Sequence, residues 1–322
     1  MLRRALPPFS DLRAFLEYLE TRGQRLRIRK PVSVVQDLTE IHRRVLGKGG
    51  PALLIEQPVK ADGTASGMPM LVNLFGTVER VAWGLGITPD KLPALGETLA
   101  EMRNPTQPQS FSDAVSKLTL ARAALSMRPR MVKSSPAQSV VLTGDQIDLG
   151  RLPVQIPSPG EPAPLITWPL VITRPPDPEA ADDNVGVYRL QVLGRDRLIM
   201  RWLAHRGAKH HHQWQQQGRE MPVAIVIGTE PATILSAVLP LPDGMSEIKF
   251  SGLLRGERPV LVPCLSVPLA VPAQAEIVIE GSVSATETAP EGPYGDHTGY
   301  YNSVEQFPVM RVTAITMRPN PI

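Results

Sequence analysis

From about residue 137 onward the chain is a succession of short apolar runs separated by turn residues at fairly regular spacing. They are Val140 to Leu142, Leu165 to Thr173, Val185 to Val192, Leu198 to Leu203, Val223 to Ile227, Val260 to Pro263, Glu276 to Val283 and Val309 to Met317. Runs of this kind, bounded by Gly, Pro, Asn and Asp, read as strands, and many short strands at even spacing predict a barrel-like β domain. Proline strengthens the reading. The chain has 34 prolines in 322 residues, twice the usual share of ~5%. A residue with fixed φ and no N–H interrupts helix interiors and central strands alike, which argues against a helical bundle.

The first part of the chain has a different pattern. Leu12, Phe15, Leu16 and Leu19 share one helical face, with Ser10 as the expected N-cap and Gly23 closing the helix. A second helix is expected near 37–46, strands at 52–56 and 69–75, and helical stretches near 77–84, 96–103 and 111–126. The predicted fold class is therefore α+β: an N-terminal α/β domain over 1–125 and a β-barrel domain over 126–322, a division that a chain of this length accommodates. Segment 175–183 reads as a surface loop. The chain ends just after the run at 309–317 with no closing structure, which gives the expectation that it is a fragment.

Net charge is only +3 and no dense Lys/Arg run occurs, so nucleic acid is not an expected partner. A single cysteine, Cys264, excludes an intramolecular disulfide framework and suits a reducing cytoplasm. The first 20 residues are amphipathic and contain acids, unlike an apolar signal, and no apolar run of ~18 residues appears. The expected location is cytoplasmic.

Chemistry concentrates in four places. Residues 287–301, Glu-Thr-Ala-Pro-Glu-Gly-Pro-Tyr-Gly-Asp-His-Thr-Gly-Tyr-Tyr, read as a loop in which Gly292, Pro293, Gly295 and Gly299 hold Glu291, Asp296 and His297 at fixed angles. Paired acids so held suit proton transfer; a polar turn between strands is the alternative. Asn184-Val-Gly-Val-Tyr-Arg189 opens a strand, and Arg189, if it faces inward, needs an anionic partner for its guanidinium fork. Arg201-Trp-Leu-Ala-His-Arg-Gly207 adds two cations and a glycine able to hold a phosphate, with Trp202 as an apolar wall. Asn184 and Glu247 are hard oxygen donors suited to Mg²⁺ or Mn²⁺, although Glu247 equally suits a helix start. Lys209-His-His-His-Gln213 reads as a solvated loop or helix start. No Walker A, G-x-G-x-x-G or G-x-S-x-G motif is present.

Together, Asn184–Arg189, Arg201–Gly207, Ser246-Glu247 through Gly252-Leu-Leu-Arg-Gly256 and Glu291–Tyr301 make the chain resemble the UbiD family of prenylated-flavin-dependent decarboxylases. Within it, the branch that acts on 4-hydroxy-3-polyprenylbenzoates in ubiquinone synthesis is the most similar. The resemblance implies a split β-barrel that binds prenylated FMN behind an N-terminal α/β domain, with the family's C-terminal α/β domain lying beyond Ile322 and activity of this chain reduced without it. It implies that Asn184 and Glu247 bind Mn²⁺; that Val187, Tyr188, Arg189, Arg201, Trp202, Leu203, Arg206 and Gly207 line the cofactor; and that Arg189, Glu291 and Asp296 form the catalytic network. Some relatives carry glutamate where Asp296 stands, and a metal-binding histidine where Gly207 stands. A homo-oligomer, a flavin prenyltransferase as cofactor supplier, an aromatic acid substrate with a prenyl tail and peripheral contact with the inner face of the membrane are also implied. A split-barrel flavin reductase and an inactive flavin-binding fragment are the competing readings.

Overall fold

A computed structural model describes residues 4–103, 124–177, 179, 183–202, 206–241, 245–296 and 298–322. Helix α1 (Leu12–Thr21) buries Leu12, Phe15, Leu16 and Leu19 as its spacing predicts. Its cap is Asp11 rather than Ser10: the Asp11 carboxylate accepts the Ala14 N–H at 2.8 Å, and an ionised acceptor at the positive helix end is favoured over a hydroxyl. Gly23, at φ +65°, turns the chain so that the Gln24 N–H reaches the Leu19 carbonyl at 2.8 Å.

Strand β1 (Arg25–Ile28), helix α2 (Asp37–Leu46), and strands β2 (Ala52–Ile55) and β3 (Met70–Val72) follow. The three strands form one sheet with β2 central, parallel to β1 and antiparallel to β3. Helices α3 (Val78–Gly84) and α4 (Leu92–Arg103) come next. The fully buried Arg80 of α3 ties this layer together by donating to the carbonyls of Leu74, Asn73 and Gly50 and to Gln24 Oε1, each at 2.9–3.0 Å. The helix expected near 111–126 lies outside the described residues except at its end, where Ala124–Met127 make a 3-10 turn.

The strands anticipated beyond residue 137 all form, the runs at 165–173 and 185–192 as two strands each, and Ala270–Pro272 adds a strand that was not anticipated. They are β4 (Val140–Thr143), β5 (Leu165–Ile166), β6 (Leu170–Thr173), β7 (Asn184–Val187), β8 (Arg189–Val192), β9 (Arg197–Arg201), β10 (Met221–Ile227), β11 (Val260–Pro263), β12 (Ala270–Pro272), β13 (Ile277–Glu291) and β14 (Glu305–Met317). Helix α5 (Gly207–Gln216) precedes β10, and α6 (Pro231–Ser236) and α7 (Glu247–Arg255) follow it. Nine strands make one antiparallel sheet in the order β7-β6-β10-β13-β14-β9-β8-β5, with β4 also paired to β14. Only residues 167–169 separate β5 from β6, yet the two lie at or next to opposite ends of this order. The sheet must therefore curl until its ends meet, which makes a half-open barrel.

Both faces of β10 are buried. Val223 and Ile225 join an inner core with Leu190, Leu198, Ile279 and Met310, while Ala224 and Val226 face Ile172, Ile234, Ile248 and Val262 outside. This is why Met221–Ile227 reads as a continuous apolar run instead of an alternating one. A third cluster packs Leu85, Ile87, Leu95 and Leu99 against Leu235, Phe250 and Leu253. No described helix is long and apolar enough to cross a membrane.

Two further local expectations fail. The stretch from Glu287 to Glu291 is the end of the 15-residue strand β13, paired to β14, and the loop starts only at Gly292; the 288–291 register with 305–308 outweighs the turn-like composition. Lys209–Gln213 is helical within α5, and His210 and His211 are buried. Thr173 Oγ1 and the Ser284 carbonyl meet their ring nitrogens at 3.0 and 2.9 Å, so partners inside the fold replace the solvent expected there.

Where β13 crosses β14, the register shifts between Glu280 and Gly281, and a Cβ at Gly281 would lie 2.0 Å from the Arg311 carbonyl oxygen. Backbone cannot step aside as a side-chain end can. Gly281→Ala should destabilise the protein by about 2–3 kcal/mol, read as a lower urea midpoint at unchanged slope; an unmoved midpoint would show that the two strands separate freely at this point.

Candidate active site

Strand β8 opens at Arg189, whose register partner on β9 is Arg201. Strand β13 ends at Glu291. Two strands lie between β13 and β8 in the sheet order, and the curl of the barrel closes that gap. Arg189 grips Glu291 in a bidentate pair, Nε to Oε1 at 2.7 Å and Nη2 to Oε2 at 3.1 Å. Arg201 approaches the same carboxylate at 3.7 Å and also stands 3.7 Å from Glu305. The Glu291 side chain is wholly buried. A buried carboxylate is tolerated only when paired and hydrogen-bonded, and here two arginines provide that. The inward orientation of Arg189 thus has its anionic partner inside the protein.

Gly292 (φ +88°) takes the chain out of β13 through backbone space that side-chain-bearing residues rarely occupy, and its N–H donates to Gln191 Oε1 at 3.0 Å. Asn302 Oδ1 accepts from Arg189 Nη2 and from the Tyr294 N–H, both at 2.9 Å. The Tyr294 ring lies 5.4 Å from the Arg189 guanidinium, and its hydroxyl donates to the Ala163 carbonyl at 3.0 Å. Burial, helped by the charges of Glu291 and Glu161, pushes this phenol well above its usual pKa, so it stays neutral beside the arginine. Asp296 is exposed on the same turn; its N–H donates to the Tyr300 carbonyl and its carbonyl accepts from the Gly299 N–H. His297 lies outside the described residues.

A second cluster adjoins the first along the chain. Asn184 opens β7 and Glu247 opens α7. One Glu247 oxygen accepts the Val185 N–H at 2.9 Å and the other accepts from Arg206, which also donates to the Leu241 carbonyl at 3.4 Å. Burial raises the Glu247 pKa, opposed by the Val185 N–H and the Arg206 charge. The Asn184 amide nitrogen is buried with no hydrogen-bond partner among the described residues, an arrangement that is costly without a ligand.

Between the clusters stands Tyr188. Its ring covers Gly186, where a Cβ would sit 2.6 Å from it, and its hydroxyl accepts the Gly207 N–H at 3.3 Å. It packs edge-on against Trp202 at 6.1 Å, which in turn meets His211. Val187 is half-buried beside it, and Leu203 lies outside the described residues. Arg206 (φ +50°) precedes α5, and no side chain caps that helix.

The fold thus gathers Arg189, Arg201 and Glu291, gathers Asn184, Arg206 and Glu247, and sets Tyr188, Trp202 and Gly207 between them. An uncapped ten-residue helix with an arginine at its start is suited to a phosphate. The orphaned Asn184 Nδ2 is an N–H donor and suits an acceptor such as a phosphate oxygen, whereas the amide's Oδ1 and the buried Glu247 carboxylate are oxygen donors of the kind a hard divalent cation takes. Two such donors are not a complete coordination shell, and among the described residues no group of three or more His, Cys, Asp or Glu could hold a metal. Asn302 and Gln191 carry no motif and were not singled out from the sequence; the only signal was Gln191, a lone polar residue within Leu190–Val192.

Residues 130–322 match the family described as the 3-octaprenyl-4-hydroxybenzoate carboxy-lyase Rift-related domain (UbiD), and residues 16–99 match the N-terminal domain of the same enzyme class. Among solved structures, the UbiD-class enzyme HmfF from Pelotomaculum thermopropionicum in complex with FMN is 28% identical, with a TM-score of 0.82 over 97% of this chain and 63% of that one. An evolved dimeric form of HmfF in complex with prFMN gives 28%, 0.80, 97% and 66%. Vanillic acid decarboxylase from Sedimentibacter hydroxybenzoicus in its closed form gives 28%, 0.81, 98% and 63%. The chain therefore spans a little under two thirds of the length of these relatives.

Proposed function

Because the chain belongs to the UbiD family, we propose that it takes part in decarboxylating an aromatic acid with prenylated FMN and Mn²⁺, the substrate being 4-hydroxy-3-polyprenylbenzoate and the product 2-polyprenylphenol, in ubiquinone biosynthesis. The observation that carries this reading is the bidentate Arg189–Glu291 pair at the barrel end, beside Tyr188 and the uncapped start of α5. HmfF binds FMN or prFMN, which supports the same class of cofactor here.

Val187, Tyr188, Arg189, Arg201, Trp202, Leu203, Arg206 and Gly207 would hold the flavin, with Arg206 and the α5 N-terminus toward its phosphate. Asn184 and Glu247 would supply two oxygens to Mn²⁺, leaving phosphate and water to complete the shell. Prenylated FMN supplies, when bound, the electron sink that no side chain offers. The chain's own residues do the rest. Arg189 positions the substrate carboxylate, the bond from ring carbon to carboxylate breaks with loss of CO₂, and Asp296 delivers a proton to that carbon. Glu291 keeps Arg189 oriented through its two hydrogen bonds.

An apolar cavity of about 450 Å³, lined by Met70, Phe75, Leu165, Ile166, Leu170 and Ile277 among others, supports a substrate with a prenyl tail. Its wall strand β5 pairs directly with β8, Leu165 opposite Gln191, so it lies about one strand spacing of ~5 Å from the strand that carries Arg189. A cytoplasmic protein touching the inner membrane face, assembled as a homo-oligomer and supplied by a flavin prenyltransferase, fits that reading.

The test is protein produced with and without a flavin prenyltransferase, followed by absorbance spectra and CO₂ release from a 3-prenyl-4-hydroxybenzoate. Release only with the prenyltransferase supports the proposal; absence of any flavin spectrum would sink it. In the same preparation Glu247→Ala should lower flavin and manganese content together, by flavin absorbance and elemental analysis, whereas unchanged contents would remove Glu247 from the metal site.

A further inference from the structure

Asn302 stands where three parts of the arginine cluster meet. Its Oδ1 accepts from Arg189 Nη2 and from the Tyr294 N–H, both at 2.9 Å. Its Nδ2 donates to the Ser303 carbonyl at 2.7 Å and lies 3.5 Å from Glu291 Oε2. Those bonds fix which edge of Arg189 is spent. Nε and Nη2 are committed to Glu291 and Asn302, whereas Nη1, with two N–H groups, donates to nothing among the described residues. A guanidinium has five donors in one plane, so locking one edge leaves the other aimed in a fixed direction.

We infer that Asn302 is a positioning residue that locks Arg189 against Glu291 and so presents the Nη1 edge of Arg189 to a ligand carboxylate. The amide is suited to the place in a way a carboxylate or a hydroxyl is not. It accepts from the arginine on one side while donating on the other toward Glu291 and Ser303, without adding negative charge beside a buried acid. The same Oδ1 holds the Tyr294 amide, which fixes the start of the turn that carries Asp296. The carboxylate grip and the acid-bearing turn are therefore set by one side chain.

This inference rests on the reading of Arg189 as the carboxylate-binding group, and the experiment separates the two. Flavin-loaded protein is titrated with 4-hydroxybenzoate and with 4-hydroxybenzamide, its neutral isostere, by calorimetry. Wild type should prefer the carboxylate, and Asn302→Ala should lose about tenfold in carboxylate affinity, the weight of one charge-assisted hydrogen bond, with amide affinity and flavin content unchanged. Asn302→Asp, isosteric and expected to fold even if the alanine variant does not, places a second carboxylate against Arg189 and should lose at least as much. Wild type without preference for the carboxylate would overturn the reading of Arg189 and this inference with it. Wild-type preference retained in Asn302→Asp, or equal losses for both ligands, would overturn the role of Asn302 alone.

Discussion

Asp296→Asn is expected to leave flavin bound while turnover falls roughly 100-fold or more, the usual weight of a general acid. The substitution keeps size and hydrogen-bonding capacity and removes only the transferable proton. Asp296 is exposed, on a turn whose backbone is pinned by the Tyr300 carbonyl and the Gly299 N–H, so the change should leave the fold intact. The measurement is CO₂ release from a 3-prenyl-4-hydroxybenzoate beside the flavin spectrum. Near-normal turnover with cofactor bound would transfer the acid's role to Glu291.

Glu291→Leu is expected to be severe in a different way. The carboxylate is fully buried and holds Arg189 by two hydrogen bonds, with Arg201 at 3.7 Å. Removing one partner of a buried pair strands the other and costs about 3–5 kcal/mol, enough to threaten folding in a marginally stable protein. Adding Arg189→Leu should restore most of that stability, because two apolar groups of suitable size replace an ion pair at little cost. Activity should stay lost in the double variant. Denaturant unfolding of the single and double variants gives the comparison, and a double variant no more stable than Glu291→Leu would mean that Glu291 contributes through Arg201 or Asn302 instead.

Much of this architecture is legible in the residues. Each run read as a strand beyond residue 137 does become one, because β-rich segments packed on both faces, such as Met221–Ile227, have few other places to go. Arg189 and Glu291 both lie in segments singled out from the sequence, and the resemblance placed them in one network. Contacts that depend on distant partners were not legible. His210 and His211 look solvated in a polar tripeptide, yet Thr173 and Ser284 complete them from other strands. Glu287–Glu291 looks like a loop because its composition is turn-like, but pairing with residues 305–308 extends the strand. Asn302 carries no motif; its significance exists only once Arg189 and Tyr294 are brought to it by the fold.

The barrel's strand order also determines when its parts can be completed as the chain is made. The β5, β8 and β9 strands pair among themselves from residues 165–201, and β6, β7, β10 and β13 from residues 170–291. These two half-sheets are linked only by chain connections, at the β5–β6 corner, at Tyr188 between β7 and β8 and through α5 between β9 and β10, with no pairing between them until β14 arrives, since β9 finds its other neighbour at residues 309–311 and β13 finds its own at 305–317. During synthesis the β9 edge therefore stays unpaired for the time needed to add more than a hundred residues, while the β13 edge waits only for residues 292–304, and such edges invite pairing with other chains. The last strand is the keystone: it joins the halves, covers both edges at once, and makes closure a late event of high contact order.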